Sequence, residues 1–128
     1  ISFLSLSSSQ PAKSNHQLND TAHSETQQGI ISFKLDTLLE KYQLPAPNHI
    51  KIDVDGIEHL ILDGARQTLR NPICRTVLIE VAYDFLEQSE GITKILTDCG
   101  FTTNQSISDY IGRGDPTDSS FNQIWIKK

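Results

Sequence analysis

An α/β fold with parallel strands and helical crossovers is predicted by three observations on this sequence. His49–Val54, short and β-branched, reads as a buried strand, and Thr76–Ala82 as a second, near-continuously apolar one. Between them Ile57, Leu60, Ile61, Ala65, Thr68 and Leu69 recur at helical spacing. A second helix, from Gly91 to Cys99, leads to a third short strand at Phe101–Thr103. Parallel neighbours need a long crossover, and strand, helix, strand, helix, strand supplies it.

Each element follows from its residues. The opening ISFLSLSSS begins as a strand, and residues 7–29 are polar, without periodicity, and read as a long loop that could serve as a substrate lid. Residues 30–35 alternate in part like a strand; Asp36 then caps a short helix, 37–42, which Pro45 and Pro47 bring to an end. The helix after residue 57 stops at Asn71–Pro72, and Gly64 in its middle points to a close helix–sheet contact. Gly100 takes the C′ position after the second helix. Residues 107–120 are loop, and residues 121–128 alternate as a last strand.

With 128 residues the chain suits one domain, and 37% hydrophobic content is too apolar for a wholly disordered one. Sixteen acidic against 11 basic side chains give a net charge of −5, with no basic stripe, which argues against nucleic acid as a partner. No apolar run reaches the ~20 residues of a membrane span. Cys74 and Cys99 lack metal-ligand spacing and read as buried free thiols in a reducing compartment, with the cytoplasm as default. Ile1 stands where Met would, no basic leader precedes the first strand, and a piece of a longer chain is expected.

In parallel sheets ligands gather beyond the carboxyl ends of the strands, which directs attention to residues 53–56 and 80–83. The turn Asp53-Val54-Asp55-Gly56-Ile57-Glu58 concentrates three carboxylates there. Helix capping accounts for part of it: Asp55 or Gly56 could cap, with Glu58 completing a capping box. Asp53, on a buried strand, would need a partner or a function. A phosphatase-like Asp-x-Asp nucleophile turn is a weak match, since Ile57 follows the glycine and a strand and helix come first. A calcium loop would want acidic groups at positions 1, 3 and 5 with Gly at 6, which this run lacks.

More of the chain is accounted for by a resemblance. His49-Ile50-Lys51-Ile52-Asp53-Val54-Asp55-Gly56-Ile57-Glu58, then Leu62-Asp63-Gly64-Ala65 and Val77-Leu78-Ile79-Glu80-Val81, resemble the FkbM family of S-adenosylmethionine-dependent methyltransferases. Phe33-Lys34-Leu35-Asp36-Thr37-Leu38 stands in for the family's upstream S/T-L-D-x-L segment, with Lys34 departing from it, and Asp55 replaces the commoner Glu. Residues 30–128 carry the resemblance and residues 1–29 carry little of it. It implies a Rossmann-like class I methyltransferase fold with an antiparallel last strand, here its C-terminal portion. The glycine-rich cofactor turn and the ribose-binding acid are not found in this sequence. The implied acceptor is a hydroxyl of a sugar or secondary metabolite.

O-methylation needs an aligned hydroxyl and a group to take its proton. Asp53, Asp55 and Glu58 are the candidate catalytic residues, Asp53 first because it leaves the strand beside the transfer site. Asp53 and Asp55 lie two apart, so on an extended strand they would share a face and could hold Mg²⁺ with substrate oxygens. His49 precedes the strand at its far end, His59 reads as a solvated helix residue, and His16 and His23 fall in the polar loop. The competing reading is a non-catalytic remnant or partner-binding α/β domain.

Overall fold

The computed structural model describes residues 2–5, 17–19, 27–54, 56–82, 84–106 and 120–128, with side chains from residue 31 onward. The chain divides into two compact units, Ile1–Phe33 and Lys34–Lys128. In the first, strands β1 (Ser2–Ser5), β2 (Gln17–Asn19) and β3 (Gln27–Ile30) form an antiparallel sheet in the order β2-β1-β3. The stretch expected to be loop over 7–29 therefore holds β2 and most of β3, and the expected strand over 30–35 ends at Ile30. Paired backbone compensates for the scarcity of apolar side chains there.

The second unit is built on strands β4 (His49–Ile52), β5 (Thr76–Ala82), β6 (Phe101–Thr102) and β7 (Ser120–Lys127). Their order is β4-β5-β7-β6. β4 and β5 are parallel, and β7 runs antiparallel to β5 and to β6. The antiparallel last strand expected from the resemblance is thus present. β6 keeps the direction of β5 but is separated from it by β7.

One face of this sheet carries the core. Ile52, Val77, Ile79, Val81, Phe101 and Trp125 are buried with Leu62, Leu69, Ile92 and Leu96 from the helices. Each such side chain contributes roughly 1.5–3 kcal/mol by leaving water. Cys74 and Cys99 lie in the same core as free thiols. β5 alternates strictly between buried and half-buried positions, and on the other face of β7 Ile124 and Ile126 are exposed.

The crossover from β4 to β5 is two helices, α2 (Glu58–Asp63) and α3 (Arg66–Arg70), not the single helix its spacing suggests. Gly64 ends α2, and its added Cβ would meet the Lys34 side chain at 3.1 and 3.2 Å. The close approach expected at Gly64 is therefore with the segment before α1 (Leu35–Tyr42), not with the sheet. Within α2, Leu62 faces the core and is buried while Leu60 is exposed. Asp36 does not cap its own helix, which starts after Lys34. Its N–H donates to the Gly64 carbonyl at 3.1 Å. Its carboxylate accepts the N–H groups of Gln67 and Thr68 at 2.9 and 2.8 Å and the Thr68 hydroxyl at 2.6 Å. One residue of α1 thereby satisfies both sides of the break, where helix ends leave groups unpaired.

α4 (Leu86–Asp98) begins five residues before its expected start, and Gly100 follows it at φ +86°, the left-handed C′ geometry. At the end of β7 the Lys127 ammonium donates to the carbonyls of Leu69 and Asn71 and stands 4.8 Å over the Phe101 ring. A cation there suits the negative end of α3.

Candidate functional site

β4 and β5 end side by side, and the chain leaves both toward the same edge of the sheet. The β4 exit turns through Gly56, whose φ of +106° strains any residue with a Cβ. Among the described residues, chain neighbours aside, only Phe85 Cε1 comes within van der Waals range, 3.9 Å from where a Cβ on that glycine would stand. The β5 exit runs through Asp84 and Phe85 into α4.

The carboxylates of the turn separate by environment. Glu58 is the first residue of α2 and is wholly buried, 0% exposed. Its Oε1 accepts the N–H groups of Val54 at 3.1 Å and Gly56 at 3.3 Å, and its Oε2 accepts the Gln88 amide at 2.6 Å. Both oxygens are engaged inside the fold. A capping box with Asp55 or Gly56 as its cap does not form, because α2 is preceded by Ile57 with no side-chain cap. Glu58 instead bonds back to the turn, so it closes the same loop from one position into the helix.

Asp53 lies one residue past β4, with its side chain 47% exposed and 3.1 Å from the Lys51 ammonium. The expectation that Asp53 sits on a buried strand is corrected by this placement: β4 ends at Ile52, the last inward-facing residue, and Asp53 faces solvent. Residues 51 and 53 share a face by the alternation of extended chain, which brings the two charges together. Asp55 lies outside the described residues, as do Tyr83, His16 and His23. Among the described residues no three His, Cys, Asp or Glu side chains converge as a metal site, and the Mg²⁺ expectation depends on Asp55.

Around the carboxylates the exit edge is apolar. Val54 and Phe85 are 38% and 41% exposed, and Leu86 lies next to Phe85 in the chain, also exposed. His59 is half-buried rather than solvated. Its ring stands edge-on to Phe85, centroids 6.2 Å apart, and a Cβ on Gly91 would come within 3.0 Å of its own Cβ, so glycine there lets α2 and α4 approach. His59 Nδ1 is buried and has no hydrogen-bond partner among the described residues. His49 is at the opposite end of β4, its Nδ1 2.6 Å from the Thr76 hydroxyl, and takes no part in the exit edge. Glu80 accepts the Ser120 hydroxyl at 2.9 Å.

Sequence reasoning missed Gln88, which is 1% exposed and bonded to Glu58. A signal was available. Gln88, Ile92 and Ile95 fall at i, i+4 and i+7, so a polar residue occupied a core position of α4.

Residues 2–103 match the family model of the methyltransferase FkbM domain. The match begins in the first unit and ends before β7, where the resemblance read from the motifs placed little weight on residues 1–29 and extended to residue 128. No curated protein and no solved structure matches the chain. The four-stranded sheet with its parallel pair is compatible with a methyltransferase fold. Among the described residues no helix is long and apolar enough to cross a membrane.

Proposed function

The chain belongs to the FkbM methyltransferase family, and on that premise we propose an S-adenosylmethionine-dependent O-methyltransferase acting on a hydroxyl of a sugar or secondary metabolite. The observation that carries this reading is the exposed Asp53 carboxylate at the carboxyl edge of β4, on a turn tied down from within by Glu58. The strand order β4-β5-β7-β6 supports reading residues 30–128 as the C-terminal portion of a Rossmann-like methyltransferase domain.

When bound, S-adenosylmethionine supplies an electrophilic methyl group carried on a positive sulfur. The exit edge suits that charge, since Asp53 presents a carboxylate to solvent between exposed apolar groups. In this reading Asp53 accepts the proton of the acceptor hydroxyl or balances the charge that develops there. Asp55, two positions further along the sequence, is the second acidic candidate. Glu58, with both oxygens occupied, holds the turn in shape rather than touching substrate. Val54 and Phe85 keep water from the acceptor, and the Lys51 ammonium, 3.1 Å from Asp53, holds that carboxylate in place.

The test is transfer of labelled methyl from S-adenosylmethionine to a panel of free sugars and methyl glycosides, using the full-length product of the gene. Label should appear on a hydroxyl, and Asp53→Asn should reduce the rate at least ~100-fold with normal folding. Full turnover in Asp53→Asn would remove Asp53 from this role. Absence of label on every hydroxyl would overturn the reading and leave a non-catalytic domain.

A further inference from the structure

Gln88 bridges the two strand exits through three contacts. Its Oε1 accepts the Ala82 N–H, the last of β5, at 2.8 Å. Its Nε2 donates to Glu58 Oε2 at 2.6 Å and lies 3.5 Å from the Glu80 carbonyl. The amide can face only one way here, because a backbone N–H needs an acceptor on one side and a carboxylate needs a donor on the other. Among the described residues little beyond Glu58 holds the turn. The backbone bond across it, from Ile57 N–H to the Val54 carbonyl, is 3.5 Å long, and on the Cβ side of Gly56 only Phe85 comes within 4 Å.

We propose that Gln88 is a positioning residue for the acceptor-side turn: it fixes the Glu58 carboxylate, and Glu58 in turn fixes the N–H groups of Val54 and Gly56 between which the acidic loop runs. Naming that turn as the acceptor side rests on the methyltransferase reading; the coupling itself does not. The chain of contacts runs from the end of β5 through α4 to the end of β4. A shift at one strand exit is therefore transmitted to the other through a single side chain with no freedom to rotate in its buried site.

The experiment follows the amide protons of Val54 and Gly56 by NMR in the full chain, in Gln88→Met and in Gln88→Glu. Met keeps the volume and removes both polar ends. It should shift both amide signals upfield and speed their hydrogen exchange ~10-fold or more, with near-ultraviolet dichroism unchanged. Glu places a second carboxyl 2.6 Å from Glu58, and two carboxylates that close cannot both ionise. At neutral pH the pair therefore keeps one proton: the position-88 carboxyl donates its O–H to Glu58 while its other oxygen accepts the Ala82 N–H, and the signals should stay near their wild-type positions. As pH rises and that proton is lost, the signals should move as in the Met variant.

If residue 88 only fills space, neither variant moves the amides and no pH response appears, which overturns the proposal. Should Gln88→Met fail to fold, the movement of the signals as pH rises in Gln88→Glu, absent in the wild type, decides alone. These signals are read whether or not methyl groups are transferred. A coupled turn in a protein that methylates no hydroxyl would overturn the acceptor reading and leave the coupling standing.

Discussion

At the α1–α3 corner the Asp36 carboxylate collects two backbone N–H groups and a hydroxyl from a helix start, whereas at the β4 exit Glu58 collects two backbone N–H groups and a side-chain amide. The donors are nearly the same in kind and number. The surroundings are not: Asp36 is half-buried at the rim, and Glu58 is sealed inside. Water can replace Asp36 at the donors it serves, while nothing can replace Glu58. A carboxylate at the rim closes a helix break, and a sealed one couples separate elements. Asp53, one residue past the last core position of β4 and on the same strand face as Lys51, belongs to neither kind and stays available to a ligand.

That contrast predicts a ranking of losses. Glu58→Ala should cost about 3–5 kcal/mol by urea midpoint, since several buried donors lose their acceptor at ~1–3 kcal/mol each. A loss below ~1 kcal/mol would mean that the turn finds other acceptors. Asp36→Ala should cost about 1–3 kcal/mol, because solvent reaches the freed helix start. Equal losses in the two variants would break the distinction between rim and interior.

Burial also acts on the core thiols, with a sign of its own. Loss of water around Cys74 and Cys99 pushes both thiols above their ordinary range. Their contribution is fully present below the unfolded thiol pKa of about 8.5 and is lost as pH rises toward the higher folded value. Wild-type stability should fall above about pH 8.5, by up to ~1.4 kcal/mol per pH unit for each thiol. A Cys74→Ala, Cys99→Ala double variant should show a flat alkaline profile, and a slope unchanged by the substitutions would place its origin elsewhere. The smallest effect belongs to Asp53→Asn, where loss of an exposed pair with Lys51 should change stability by no more than ~0.5 kcal/mol. A larger loss would move Asp53 to the scaffold side of the comparison.

Much of the sheet was legible in the sequence, because its strands bury one face without interruption. Thr76–Ala82 is a strand over its full expected length, and β4 differs only in ending two residues sooner, at Ile52. Gly100 took its expected place after α4. The crossover was harder to read. A pattern of apolar residues fixes the helical period but not whether the backbone runs unbroken, and the partner that stabilises the break, Asp36, lies 31 residues from Gln67. The site was half legible for the same reason. The motif marked where three acidic residues gather in sequence, but the sealing of Glu58, in contrast to the exposed Asp53, involves Gln88, which arrives from the next crossover. Residues 1–29 offered almost no pattern because β1 to β3 are short and pair through their backbones.

The position of β7 sets an order of assembly that differs from the order of synthesis. β7 follows β6 in the chain yet lies between β5 and β6 in the sheet. While the chain emerges from the ribosome at roughly 5–20 residues per second, β5 therefore carries an unpaired edge for the whole time that residues 101–119 are being made. Phe101, buried in the finished protein, has no strand to join until β7 inserts. Such late closure across distant segments slows folding and leaves a strand edge open to other chains. When β7 does insert, Lys127 reaches the carbonyls of Leu69 and Asn71, and the contact that latches the sheet to α3 is among the last to form.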